Sequence, residues 1–280
     1  MQREDGSYAA AMSDEALSAT DTIVHLTDGT TLPRVGLGTW SLTGEAGASA
    51  MASALDAGYR LLDSAQGYGN EDATGQAVRA SAVPREDVVV TTKLPNDAHG
   101  FEPTKRSFDE SVRALGVDVV DLYLIHWPEP EQDRYVDSWR AIIELQQAGR
   151  IRSIGVSNFS VEQIERLERE TGVLPVVNQV ELHLGLDQAD LRAFHREHGI
   201  VTESYSPLKH GSRLASDPVL GRIAEAHGVA WNQVALRWNL QLDTVVIPRS
   251  KDAGRRAGNL DLFGFALSDD EMGEIGAIRV

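Results

Sequence analysis

Asp63, Tyr68, Lys93 and His126 are residues of types that could combine to move a proton. A phenol with a pKa of about 10 is a poor acid at neutral pH, but a neighbouring ammonium stabilises the phenolate and lowers that value. Lys93 could supply the ammonium, with Asp63 holding it and partly compensating its charge. His126 could orient a carbonyl oxygen by hydrogen bonding. Together they would make a proton donor for an oxygen that is gaining negative charge. Such a donor is useful where something else delivers a hydride. No amino acid can, so a nicotinamide cofactor is implied.

Elements must bring these residues to one place. Short, largely apolar segments recur at 34–38, 59–63, 88–93, 119–127, 153–157, 176–182, 200–206 and 244–250. Several are continuous runs of Val, Ile and Leu, as expected of strands buried on both faces. Between them lie helical patterns: Val136, Trp139, Ile142 and Ile143 share a face in 135–147, Val161, Ile164 and Leu167 share one in 161–167, and Leu220, Ile223 and Ala224 form another stripe. Strands alternating with helices imply parallel βα units, because a parallel connection needs a crossover. Ahead of them, 22–26 and 31–33 flank Asp28-Gly29 and read as a β-hairpin. An open dinucleotide-binding sheet should carry G-x-G-x-x-G at its first turn. The segment Gly36-Leu37-Gly38-Thr39-Trp40-Ser41 lacks the third glycine. No linker divides the chain. The expected fold is therefore α/β, a single (β/α)8 TIM barrel over residues 21–280 with an N-terminal hairpin, preceded by a flexible arm at 1–20.

Chemistry in such barrels collects where the strands end. Asp63 ends the second apolar segment, with Tyr68 in the loop after it; Lys93 ends the third, and His126-Trp127 the fourth. Ser157-Asn158, Gln179, Tyr205-Ser206 and Arg249-Ser250 occupy the equivalent places further on. Arg249, Lys251, Arg255 and Arg256 cluster on a chain of 280 residues whose net charge is −16. A phosphate site following the last strands would explain that cluster, and guanidinium groups that grip a phosphate favour NADPH over NADH.

Eight segments carry a family resemblance: GLGTW (36–40), GYRLLDSAQGYGNE (58–71), TTKL (91–94), DLYLIHWP (121–128), IGVSNF (154–159), VNQVELH (177–183), SYSPL (204–208) and IPRS (247–250). In this order and spacing, the chain resembles the aldo-keto reductases from about residue 22 to 278, within a bacterial, short-tailed branch similar to the diketogluconate and prostaglandin-synthase-like enzymes. The resemblance implies an NADP(H)-dependent oxidoreductase on a barrel, with Tyr68 as general acid, Lys93 and Asp63 as its tuners, and His126 orienting the carbonyl. It also implies that Ser157, Asn158 and Gln179 bind the nicotinamide carboxamide, that Tyr205 stacks on the ring, and that Ser206 and Leu208 line the pyrophosphate path. Arg249, Ser250, Arg255 and Asn259 would grip the 2′-phosphate and adenine, Thr39 and Trp40 would border the cofactor, and Trp40 and Trp127 would wall the substrate mouth. The acidic helix expected over 268–275 is the last element, so the long loop that covers the mouth in many relatives is not expected and an open pocket is.

Taken singly, each residue has a plainer role: a strand-end Asp can cap a turn, a loop Tyr can pack, and a charge run can be a solvated face. Their coincidence at one barrel end favours the chemical reading. Two rival activities use the same residues: a Schiff-base lyase with Lys93 as nucleophile, and a non-catalytic regulatory subunit that only binds cofactor. Composition removes other classes. With no cysteine there is no disulfide scaffold, thiol nucleophile or Cys-ligated metal. His195 and His198 lie three apart without the H-E-x-x-H pattern, and no metal site is expected. Trp139, Trp231 and Trp238 fall in helical patterns and read as outer-layer packing. The acidic balance disfavours nucleic acid, and the apolar runs are too short to span a membrane. A cytoplasmic monomer acting on a small carbonyl compound is expected.

Overall fold

The structure, a computed structural model, describes residues 22–209 and 211–279. The arm expected at 1–20 lies outside the described residues. Strands β1 (Ile23–His25) and β2 (Thr31–Pro33) pair antiparallel, Ile23 opposite Pro33. Gly29 supplies the left-handed turn position at φ +87°, and the Asp28 carboxylate accepts from the Thr30 amide and hydroxyl. Leu26 and Leu32 of the hairpin pack on Leu122, Leu124, Val176 and Val177. The hairpin therefore plugs the N-terminal end of the barrel, away from the loops that carry chemistry.

Eight parallel strands follow: β3 (Leu37–Gly38), β4 (Leu61–Asp63), β5 (Val89–Leu94), β6 (Val120–Ile125), β7 (Ile151–Ser157), β8 (Val177–Glu181), β9 (Val201–Tyr205) and β10 (Thr244–Val246). Each pairs with its sequence neighbour. Val35 bridges Val246, with the Gly36 amide on the Val246 carbonyl at 2.8 Å, and this closes the ring. A side chain at Gly36 would meet Leu61 at 2.6 Å, so closure needs glycine there.

The outer layer contains α1 (Gly44–Asp56), α2 (Glu71–Ala80), α3 (Phe101–Leu115), α4 (Tyr135–Gln147), α5 (Val161–Thr171) and α6 (Ala189–Glu197). It continues with α7 (Gly211–Leu214), α8 (Pro218–His227), α9 (Trp231–Gln241), α10 (Ala253–Leu260) and α11 (Asp269–Gly276). The apolar stripes largely do what their spacing requires: Val136, Trp139 and Ile142 of α4, Ile164 and Leu167 of α5, and Leu220, Ile223 and Ala224 of α8 are buried, while Ile143 and Val161, at the stripe edges, are half-buried. Helix ends are specified locally as well. Ser160 and Gln163 form a reciprocal capping box on α5, and Asp217 caps α8 with Pro218 behind it. His195 of α6 is buried with Nδ1 2.8 Å from the Thr202 hydroxyl and Nε2 3.0 Å from the Asn178 amide, so both of its nitrogens serve packing.

Candidate active site

Asp63 is the last residue of β4, paired with Thr91 of β5, and Lys93 lies two residues further along β5. Residues two apart on a strand face the same way, so Lys93 and Asp63 both enter the barrel interior. Lys93 is fully buried, and its Nζ donates to Asp63 Oδ1 at 2.6 Å and to the Ser64 carbonyl at 2.8 Å. Tyr68 closes a single 3-10 turn, Gln66–Tyr68, that follows β4 and is ended by Gly69 at φ +61°. Its ring lies 5.1 Å from Lys93 Nζ. The backbone amide of His126 bonds to Leu94 at 3.3 Å, setting the imidazole edge-on to Tyr68 with centroids 5.6 Å apart. The four residues expected to act together do meet.

The charges settle as follows. Burial alone would depress Lys93, but the charges of Asp63, Tyr68 and Glu203 outweigh it and hold the ammonium above its ordinary range. His126 is pushed down to about 4 by burial and by the Lys93 charge, so it is a neutral imidazole at physiological pH. Tyr68 corrects the sequence-based expectation of a net acidified phenol. Lys93 does lower it, but burial is the larger effect and Asp63 opposes Lys93, so Tyr68 ends above its ordinary value. A compensated ammonium is a weaker perturbant than a bare one.

Tyr68, His126, Trp40 and Trp127 border a cavity of about 570 Å³ at the C-terminal mouth of the barrel. A second cavity of about 1000 Å³ adjoins it, with Leu208 and Arg249 lining both. Ser250, Lys251, Arg255 and Asn259 face the second one. The result is a trench running from the tetrad to a basic pocket.

A family model, "Aldo/keto reductase family", matches residues 34–280. The chain is 49% identical over 256 residues to an aldo-keto reductase of Mycolicibacterium smegmatis, covering 91% of this chain and 93% of that one. It is 48% identical over 256 residues to 2,5-diketo-D-gluconic acid reductase B of Corynebacterium sp., covering 91% and 92%. The chain belongs to the aldo/keto reductase family. Among solved structures, the aldo/keto reductase from Brucella melitensis superposes with a TM-score of 0.87 at 45% identity, covering 91% of this chain and 98% of that one. A Gox0644 mutant crystallised with NADPH superposes equally well, with a TM-score of 0.87 at 45% identity and coverage of 91% and 92%.

The residues expected along the cofactor wall are distributed unevenly in this chain. Ser157, Asn158, Gln179, Tyr205 and Ser206 all border the inner cavity. Tyr205 donates to Asn158 Oδ1 at 3.0 Å, and Asn158 donates in turn to the His126 carbonyl at 3.0 Å, tying one wall to the tetrad. Ser41, Asn158 and Ser206 adopt left-handed φ values of 67°, 64° and 53°. Strained backbone of this kind collects at functional sites. Arg249 donates to the Ser41 hydroxyl at 2.6 Å and stacks 4.9 Å over the Trp40 ring, while Trp40 and Trp127 are both exposed at the mouth.

Three expectations change. Thr39 is fully buried and lines neither cavity: its hydroxyl donates to the Asp63 carbonyl at 2.9 Å and its own carbonyl accepts from Asn70. Its side chain ties this loop to the end of β4. Arg256 is likewise buried, donating to the Ser250 and Lys251 carbonyls, so of the doubled arginines only Arg255 faces the basic cavity. Trp231, read as outer-layer packing, borders that same cavity together with Asn232.

Two further residues escaped the sequence reading. Asn70 is fully buried; it donates to the Thr39 and Leu42 carbonyls and accepts from Ser64, thereby pinning the Trp40 loop to the turn that carries Tyr68. Glu203 of β9 is fully buried beside Asp63 and Lys93. A signal for Glu203 was present: it stands two residues before Tyr205 on one strand and so shares its face.

Proposed function

We propose that this protein reduces aldehydes or ketones to alcohols with NADPH, Tyr68 giving the proton. The observation that carries the reading is the buried Lys93–Asp63 pair beneath Tyr68, at the floor of a cavity that runs into a basic one. The trench fits an extended dinucleotide phosphate: polar side chains line its inner end, and Arg249, Lys251 and Arg255 line its outer end on a strongly acidic chain. Relatives crystallised with NADPH or NADP, from Gox0644 to a Bombyx mori aldo-keto reductase, support the same cofactor.

In this reading Ser157, Asn158 and Gln179 hold the carboxamide, Tyr205 supports the ring, Ser206 and Leu208 follow the pyrophosphate, and Arg249, Ser250, Arg255 and Asn259 hold the adenosine 2′-phosphate. The bound cofactor supplies the hydride. Neutral His126 donates a hydrogen bond to the carbonyl oxygen, and Trp40 and Trp127 flank the substrate. As charge builds on that oxygen, Tyr68 transfers its proton, and the Lys93 ammonium stabilises the phenolate left behind. A phenol held above its ordinary pKa keeps its proton through the neutral range, which suits reduction over the reverse reaction.

The Schiff-base alternative asks Lys93 to be an accessible, neutral amine. Full burial, two hydrogen bonds and a raised pKa all oppose that. The test is cofactor oxidation with a panel of carbonyl compounds, NADPH and NADH in parallel, on wild type and Tyr68→Phe. Turnover with NADPH that falls by about 10²–10⁴-fold in the variant, with cofactor binding kept, is the expected result. Unchanged turnover in Tyr68→Phe would refute the proton donor.

A further inference from the structure

We propose that Glu203 is a positioning residue: with Asp63 it occupies both amide hydrogens of Gln179, leaving the Gln179 carbonyl oxygen as the group that meets the nicotinamide carboxamide. The carboxamide contact rests on the function proposed above; the lock itself does not. Gln179 Nε2 lies 2.9 Å from Asp63 Oδ1 and 2.7 Å from Glu203 Oε2. A side-chain amide has two N–H donors, and two carboxyl oxygens take both. The amide cannot turn over without aiming its oxygen at the Asp63 carboxylate and, once Glu203 is ionised, at a second acceptor. Without Glu203, one N–H would be released and either end of the amide could face the cavity.

The surroundings select the form of Glu203 that does this cheaply. Its other oxygen, Oε1, is buried with no hydrogen-bond partner among the described residues. A carboxylate with one bare oxygen is costly in a barrel interior, and a neutral acid is less so. The groups facing Glu203 are Asp63 from β4, Lys93 from β5, Tyr68 from the turn after β4 and Gln179 from β8. Burial and the Asp63 charge push Glu203 up to about 7, against the opposing pull of Gln179 and Lys93. Below that value the cluster holds one anion and one cation, Asp63 and Lys93. Above it a second anion arrives, and its charge raises Tyr68 further and keeps the proton donor loaded.

Two variants separate the lock from the charge. Glu203→Gln keeps an acceptor for Gln179 and removes the ionisation. Glu203→Leu removes both. In ligand-free protein followed by NMR, the Gln179 side-chain amide protons should exchange roughly tenfold faster in Glu203→Leu than in wild type, the loss of about one hydrogen bond, with Glu203→Gln close to wild type. The dissociation constant for NADPH should rise by about five- to tenfold in Glu203→Leu and be rescued by Glu203→Gln. In the pH profile of carbonyl reduction, Glu203→Gln should lose the inflection near neutrality and begin its alkaline decline at lower pH than wild type. Wild-type exchange at Gln179 in Glu203→Leu overturns the lock, and a Glu203→Gln profile that keeps its neutral inflection overturns the charge. Should Glu203→Leu fail to fold, Glu203→Asp, whose shorter side chain withdraws the acceptor from Gln179, replaces it in the exchange measurement, and wild-type exchange at Gln179 there overturns the lock. A wild type that turns over no carbonyl compound would refute the reductase reading, and the ligand-free exchange measurement would still judge the lock.

Discussion

Replacing Lys93 with methionine removes the cation from a pair whose two side chains are almost wholly out of water, 0% and 4% exposed, and leaves Asp63 buried beside Gln179 without its 2.6 Å partner. Methionine fills much of the space, so the cost is chiefly electrostatic. Breaking a buried ion pair by removing one member costs about 3–5 kcal/mol, because the surviving charge stays desolvated. In a domain of this size that lowers the melting temperature by roughly 10 °C. Turnover should fall by at least about 100-fold, since the phenolate left by proton transfer loses its stabilising charge. A second substitution separates these effects. Adding Asp63→Asn to Lys93→Met removes both charges together, so most of the lost stability should return while turnover stays low. Thermal unfolding and cofactor oxidation on the two single variants and the double variant complete the cycle. A Lys93→Met protein as stable as wild type would contradict the buried-pair energetics. Recovery of turnover in the double variant would contradict the role of the ammonium.

Arg255→Ala should raise the dissociation constant for NADPH by about 10- to 150-fold with little effect on NADH, since a charge-assisted phosphate contact is worth roughly 1.5–3 kcal/mol; equal losses for both cofactors would place the 2′-phosphate elsewhere. Asn70→Ala should cost about 2–4 kcal/mol in urea unfolding, because the buried Thr39 and Leu42 carbonyls lose their donor, and it should broaden the Trp40 fluorescence response to cofactor; a neutral effect would deny Asn70 its tie. Burial holds His126 and His195 down at about 4, whereas the unfolded chain takes up those protons below about 6.5. Stability is therefore lost as pH falls from about 6.5 towards 4, by about 3 kcal/mol for each, and unfolding titrations that stay flat across that window would refute the neutral assignments.

Much of the fold could be read directly along the chain. The eight short, largely apolar segments became β3 to β10, the i, i+3 stripes became α4, α5 and α8, and Asp28-Gly29 became the hairpin turn. These are local signals: strand burial on both faces and helical periodicity are written in neighbouring residues. The tetrad was legible for a related reason. Asp63, Lys93 and His126 end successive strands, and a parallel barrel delivers successive strand ends to one mouth.

What depended on tertiary structure was which way competing influences fell. Residue types name an ammonium and a phenol, but the pKa of Tyr68 depends on how much water the fold removes and on Asp63 standing 2.6 Å from Lys93. Arg255 and Arg256 are adjacent and chemically identical, yet the α10 helix turns one to the cavity and the other to the Ser250 and Lys251 carbonyls. Strand alternation could place Glu203 on the face of Tyr205, but only the closed ring brought it beside Asp63 and Lys93. Periodicity orders residues along an element, while desolvation and charge coupling depend on distances between elements far apart in the chain.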